Sequence, residues 1–109
     1  CWTSFYTTRK LTEAQPETCQ ALVHGIERAL AVFHDSTPLD IANQVSDYFP
    51  DLADEDLARM IDGYRASGLW ARTTELPVTA FTRLKAAMIS GGLISYDAPY
   101  DRLVTDMAG

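Results

Sequence analysis

The sequence predicts a mainly α-helical fold, in which four to five amphipathic helices follow one N-terminal strand. Over most of the chain, apolar residues recur three or four positions apart, which is the spacing of one helix face. Residues 1–8 are instead rich in aromatic and β-branched side chains, a composition that favours a strand. The expected elements are a strand at 1–8 and helices at about 16–34, 38–49, 54–67, 79–90 and 99–106.

The longest expected helix begins at Pro16, because proline lacks the N–H that would go unpaired in a first turn. Glu17 adds a negative charge near the positive end of the helix dipole. The periodic pattern ends near His34, and Cys19 lies on the apolar face, so we expect a buried free thiol there. The residues of that face are Cys19, Leu22, Val23, Ile26, Ala29, Leu30 and Phe33.

The next two helices are bounded by capping and breaking residues. Thr37 is the expected N-cap of the helix at 38–49, Pro38 its first residue and Pro50 its stop. Asp54 is the expected N-cap of the helix at 54–67, and Gly68 fits the left-handed position beyond its end. The predicted buried faces are Ile41, Val45, Tyr48 and Phe49 in the first helix, and Leu57, Met60, Ile61 and Tyr64 in the second.

Two further helices are expected after a connector at residues 71–78. Thr79 is the predicted N-cap of the helix at 79–90, and Gly91–Gly92 is its predicted end. The last helix, at about 99–106, begins around Pro99. The strand at 1–8 finds no second strand in the chain to pair with, so we expect its partners to lie elsewhere.

The net charge of the chain argues against nucleic-acid partners. Nine basic residues stand against fifteen acidic ones in the 109 residues, which gives a charge of −6. Such a surface repels phosphate backbones and anionic membranes. No stretch approaches the roughly 20 apolar residues that span a bilayer, and no secretion signal is visible.

The residue types that carry catalysis or bind metals form no recognisable constellation. His24 and His34 are ten positions apart, not at the spacing that lets one helix face hold a metal, and surface positions explain them. The acidic cluster at 51–56 surrounds a helix start, where capping and the helix dipole already account for it. Gly91–Gly92 follows a helix, whereas phosphate loops precede one. We therefore predict no catalytic activity, no metal and no cofactor.

The N-terminal aromatic residues Trp2, Phe5 and Tyr6 admit two interpretations. On a strand edge they could line a ligand pocket, since such pockets are mostly apolar. The alternative is that they pack beneath missing partner strands.

Several motifs, taken in order, resemble the closing region of the periplasmic substrate-binding proteins of ABC transporters for nitrate, sulfonate, taurine and pyrimidine precursors. The resemblance covers nearly the whole chain. The residues that carry it are Phe5-Tyr6-Thr7-Thr8-Arg9-Lys10-Leu11, Gln15-Pro16-Glu17, Ala31-Val32-Phe33-His34, Tyr48-Phe49-Pro50-Asp51-Leu52, Tyr64-Arg65-Ala66-Ser67-Gly68-Leu69-Trp70, Ser90-Gly91-Gly92-Leu93-Ile94 and Pro99-Tyr100-Asp101-Arg102-Leu103-Val104.

The resemblance implies that residues 1–109 are a single C-terminal fragment of a two-lobe α/β protein that closes on a small organic or anionic solute. It implies a periplasmic or extracytoplasmic location and delivery of the solute to an ABC permease through the full-length parent. Most solute contacts would lie upstream, so Tyr6 and Thr7 are the only ligand-binding residues it suggests. A fragment would expose apolar surface, which predicts self-association or strand exchange.

Two other classes of protein compete with this interpretation. A freestanding helical protein–protein interaction module, such as a homodimer, would unfold cooperatively from these residues alone. A small helical transcription regulator is disfavoured by the acidic charge and by the lack of a basic recognition helix.

Overall fold

The structure, a computed structural model, describes residues 3–107. In that range 64% of the residues are helical and none lies in a strand. The mainly helical fold class is therefore confirmed. Six helices follow in chain order: α1 (Arg9–Ala14), α2 (Pro16–Asp35), α3 (Pro38–Val45), α4 (Asp54–Ala66), α5 (Val78–Ser90) and α6 (Tyr100–Leu103), with a 3-10 turn (Ser46–Tyr48) directly after α3.

The strand predicted at 1–8 is wrong for residues 3–8, which are the part of that range that the structure describes. Residues 3–8 have no regular structure, and Cys1 and Trp2 lie outside the described residues. The backbone of residues 3–7 forms no hydrogen bond with the described part of the chain, so the β-prone composition has no partner strand to act on. Thr8 instead caps a helix that the sequence analysis missed: its Oγ1 accepts from the N–H of Leu11 at 3.2 Å.

Helix α2 starts at Pro16 and ends at Asp35, one residue beyond the expected end. Cys19 is buried and free, as predicted. Thr37 caps α3 by accepting from the N–H of Asp40 at 3.2 Å. α3 ends at Val45, because the chain tightens into the 3-10 turn, so the predicted continuation to residue 49 is wrong.

The early end of α3 changes which side chains are buried. Ile41 is buried and Val45 is half-buried, but Tyr48 is 81% exposed and Phe49 is 45% exposed. Beyond Val45 the backbone no longer follows the helical spacing, so these two rings leave the face that the pattern assigned to them.

The starts of α4 and α5 differ from the predicted caps. Ala53, not Asp54, is the N-cap residue of α4, and Asp54 opens the helix in the acidic first turn. Pro77, not Thr79, precedes α5, and its extended backbone lets its carbonyl accept from the N–H of Phe81 at 3.0 Å. The last helix is four residues long, shorter than the expected 99–106.

Helices α4 and α5 end in the same way. Gly68 and Gly92 have φ values of 70° and 72° in the left-handed region, where an L side chain is strained. The N–H of Leu69 donates to the Tyr64 carbonyl at 3.1 Å, and that of Leu93 to the Met88 carbonyl at 2.9 Å. These bonds define Schellman turns, which satisfy carbonyls at each helix end.

The chain divides into two compact units. Unit 1 comprises residues 1–24 and 74–109, and unit 2 comprises residues 25–73. In unit 2, α3 packs on α4 around a small core of Ile41, Ala42, Leu57 and Ile61, with Phe33, Val45 and Ala58 packed against it. In unit 1, α5 contacts α6, and the Arg9 side chain donates to the Arg102 carbonyl at 3.2 Å.

Candidate functional site

Tyr6 and Thr7, the ligand-binding residues suggested by the resemblance, lie in the non-helical segment before α1. Tyr6 is 96% exposed and Thr7 is also exposed. Among the described residues neither side chain has a hydrogen bond or a ring contact. The structure therefore places the two residues side by side on the surface, but assembles no pocket around them.

Unit 2 has a groove on its surface that is lined entirely by described residues. Its volume is about 390 Å³. Ala29, Val32 and Phe33 line it from α2, and Ile41 and Val45 line it from α3. Two polar side chains, Arg28 and Gln44, complete the lining. A mostly apolar wall with a few polar groups suits an apolar or amphipathic ligand.

The groove follows from the way in which the chain passes from α2 to α3. Only Ser36 and Thr37 separate the two helices, and the Thr37 cap with Pro38 starts α3 at once. So short a link keeps the end of α2 next to the start of α3, and both helices contribute side chains to the groove. The periodic patterns identified Phe33, Ile41 and Val45 as inward-facing, and all three line the groove. Val32 is 46% exposed, so the groove is left partly uncovered.

Arg65 of α4 holds the C-terminal end of α2. Its Nη1 lies 3.0 Å from the Phe33 carbonyl, 2.8 Å from that of Ser36 and 3.4 Å from that of His34. The last carbonyls of a helix have no partner within it and carry partial negative charge, so a guanidinium satisfies them. The sequence analysis did not single out Arg65. The hydrogen bonds make it a structural residue.

An aromatic cluster surrounds this helix end. The Phe33 ring meets the Trp70 ring edge-on at a centroid distance of 4.2 Å, and the Tyr64 ring lies 5.8 Å from that of Trp70. His34 is not the solvated surface residue that was predicted. It is half-buried, its ring packs edge-on to that of Phe33, and its Nε2 donates to the Ala71 carbonyl at 3.0 Å. The other ring nitrogen, Nδ1, is buried and has no hydrogen-bond partner among the described residues.

In unit 1, the amine of Lys85 contacts three other residues of the chain. It forms an ion pair with Asp97 at 2.5 Å, donates to the Ala98 carbonyl at 2.7 Å and lies 5.0 Å from the centre of the Phe81 ring. Beside it, the Tyr100 hydroxyl donates to the Leu76 carbonyl at 2.5 Å. These contacts hold the loop at 94–99 against α5.

The charge of the chain is concentrated in unit 2. Its 49 residues, 25–73, contain nine carboxylates and four arginines, a net charge of −5. Asp56 is paired with Arg59. Among residues 3–107 no ion pair is formed by Asp35, Asp40, Asp47, Asp51, Asp54, Glu55 and Asp62. Unit 2 therefore carries most of the negative charge of the chain, whereas the one charged side chain that lines the groove is Arg28.

The described part of the chain offers no cluster of three histidine, cysteine or acidic side chains that could hold a metal ion. None of its helices has the length and apolar character required to cross a bilayer. Comparisons with family models, with curated proteins and with solved structures gave no match to the chain.

Proposed function

We propose that the chain is the helical C-terminal part of a two-lobe solute-binding protein that delivers a small organic or anionic solute to an ABC importer. The proposal begins from the ordered motifs between Phe5 and Val104, which resemble that family across nearly the whole chain. In this role the chain catalyses nothing, and lobe closure around the solute would present a closed form to the permease.

One structural observation carries the proposal: the β-prone aromatic segment lacks partners. Phe5 and Tyr6 are 76% and 96% exposed, and the backbone groups of residues 3–7 form no hydrogen bond with the described residues. Large aromatic side chains and unpaired backbone groups favour a covered position. Neighbouring strands of a lobe would cover both, and would bring Tyr6 and Thr7 to the edge of the cleft between the lobes.

Isothermal titration of the full-length parent tests the proposal. We expect binding to one solute among sulfonates, nitrate and pyrimidine precursors. Tyr6→Ala and Thr7→Ala should weaken that binding, whereas Tyr96→Ala, which removes another exposed ring, should not. If the parent binds none of these solutes and instead binds a macromolecule tightly, the proposal is wrong.

A freestanding helical interaction module is the second candidate, and the architecture of unit 2 favours it. Unit 2 has its own core, and it presents a groove of about 390 Å³ without help from residues outside 25–73. A module requires the 109-residue chain to unfold in one cooperative transition at a fixed oligomeric state. Thermal unfolding and sedimentation of that chain separate the two candidates, because a part that has lost its packing partners unfolds broadly.

A further inference from the structure

We propose that the groove on unit 2 binds a small amphipathic carboxylate, with its apolar chain between α2 and α3 and its anionic head at Arg28. The ligand would be a free monocarboxylate with a flexible hydrocarbon chain, of which decanoate is an example. The site lies within unit 2, so it does not depend on solute binding by a parent.

The apolar lining of the groove suits a hydrocarbon chain. The volume of about 390 Å³ falls within the range of small-molecule sites, which is roughly 300–1,000 Å³. Val32 is 46% exposed and lies beside the half-buried ring of Phe33 and the buried Ile41 in the lining. An apolar chain that covers these side chains removes their remaining surface from water, which is favourable.

The two polar side chains of the lining lie at the end of the groove that is remote from the link between α2 and α3. Arg28 lies seven residues before the last residue of α2, and Gln44 lies six residues after the first residue of α3. At about 1.5 Å per residue, each is about 10 Å along its helix from the link. Phe33 and Ile41 are within about 5 Å of the link by the same measure. The groove therefore matches a ligand with one polar end.

Arg28 determines the charge of that polar end. It is exposed and forms no ion pair or hydrogen bond within residues 3–107. The planar guanidinium matches a carboxylate with two parallel N–H donors, and the amide of Gln44 can donate as well. A neutral ligand would leave the guanidinium unpaired, and a cationic ligand would be repelled by it. An anion that accepts hydrogen bonds satisfies both side chains.

The net charge of −5 on unit 2 opposes the approach of an anion but does not remove the attraction at contact. Salt screens exposed charges that are more than about 8 Å apart at physiological ionic strength. Glu27 and Asp47, the carboxylates nearest in sequence to the two polar residues, form no ion pair with Arg28. Asp35 and Asp40 lie at the link and disfavour the reverse orientation of the ligand.

Titration of the ¹⁵N-labelled 109-residue chain with decanoate, below the concentration at which decanoate forms micelles, tests the site. We expect saturable changes in the amide signals of residues 28–45. Decanol, which has the same chain without the charge, should bind about tenfold more weakly, the scale of one charged hydrogen bond. Equal binding of decanoate and decanol, or changes confined to residues outside 25–73, would overturn the proposal.

Replacement of Arg28 tests the position of the head group. Arg28→Gln should raise the dissociation constant of decanoate about tenfold and leave that of decanol unchanged. Arg72→Gln is the matched control, because Arg72 is also an exposed arginine of unit 2 without an ion pair in residues 3–107, but does not line the groove. It should change the constant less than about twofold. Equal effects of the two variants would reduce the role of Arg28 to net charge and would overturn the proposal.

Replacement of Val32 tests the position of the chain. Val32→Gln should weaken decanoate and decanol alike, whereas Leu22→Gln, at a position on the same helix that is 53% exposed and does not line the groove, should weaken neither. Circular dichroism establishes that the variants remain helical. Equal effects of these two variants would contradict the proposal. Groove amide signals that move with protein concentration in the absence of ligand would assign the groove to a second copy and overturn it as well.

Discussion

At the scale of single residues, Arg65 is the side chain with the most consequential contacts. One guanidinium nitrogen lies within hydrogen-bond distance of three carbonyls at the end of α2, and two of these distances are 3.0 Å or less. Hydrogen bonds from a charged donor contribute more than neutral ones.

Replacing Arg65 with alanine should therefore lower the free energy of unfolding by about 1.5–3 kcal/mol, because half-buried carbonyls lose a charged donor. Arg59→Ala is the matched control. It removes an exposed arginine of the same helix whose ion pair with Asp56 contributes less than about 0.5 kcal/mol. Urea unfolding followed by circular dichroism measures both. Equal losses in the two variants would show that the α2 carbonyls do not depend on Arg65.

Ala42 is the one core residue with no exposed surface at all. Ala42→Val should destabilise the chain by about 1–3 kcal/mol, because the two added methyl groups have no space between α3 and α4. Ala31→Val, at an exposed position of α2, should cost only about 0.5 kcal/mol through helix propensity. The same urea experiment compares them, and a neutral Ala42→Val would mean that the core holds unfilled space.

At the scale of elements, α4 contains one glycine that its backbone does not require, Gly63, and is followed by one that its backbone does require, Gly68. Gly68 ends the helix at φ 70°, whereas Gly63 lies inside it and has open space where a Cβ would be added. Gly68→Ala should destabilise by about 1–2 kcal/mol, because an L residue is strained in the left-handed region. Gly63→Ala should stabilise by about 0.5–1 kcal/mol, because alanine favours a helix interior.

Thermal unfolding of the two glycine variants provides the measurement, and each serves as the control for the other. Opposite shifts of the melting temperature are the expected result. Shifts of the same sign would contradict the Schellman turn at Gly68.

The elements that could be predicted from the sequence were those whose local residue pattern agrees with their packing in the structure. The bounds of α2 were predictable because its three-four spacing runs through five turns and Pro16 fixes its start. Two members of its predicted apolar face, Leu22 and Ala29, are nevertheless exposed. The caps at Asp54 and Thr79 were wrong, because carbonyls of Ala53 and Pro77 accept the first helical bonds without side-chain capping. The strand predicted at 1–8 was wrong over residues 3–8, because a β-prone composition favours a strand but provides no partner strand.

The site was less predictable than the fold, for a physical reason. Periodicity identified which way Phe33, Ile41 and Val45 face, but a groove is the space left between two helices and depends on how they pack. The role of Arg65 was hidden for the same reason, since its carbonyl partners lie roughly 30 positions earlier in the chain. The proposed contacts at Tyr6 and Thr7 stay a prediction.

At the scale of the whole molecule, buried apolar side chains are unequally distributed. Four of the five in the described residues, Ile41, Ala42, Leu57 and Ile61, lie in unit 2, and Cys19 is the one in unit 1. Regions with few buried apolar contacts open at low free energy. We therefore expect the chain to lose its structure in steps, with unit 2 the more resistant.

Native-state hydrogen exchange followed by mass spectrometry should show the slowest exchange in α3 and α4 and faster exchange in α5 and α6. Leu57→Ala, which empties a core position that is 5% exposed, should lower the opening free energy of α3 and α4 by about 2–5 kcal/mol. Leu93→Ala, at a position 75% exposed, is the control and should leave those amides unchanged. Equal protection of α4 and α5 would contradict the expected order.

The two Schellman turns also constrain which residues related proteins can have at these positions. Few residues can replace a glycine whose backbone is left-handed. Asparagine is tolerated there, and other L residues are strained. Gly25 and Gly63 have open space and ordinary helical backbone, so they are free to drift. A related protein is therefore expected to keep glycine or asparagine at the positions of Gly68 and Gly92, even where its surface residues have diverged.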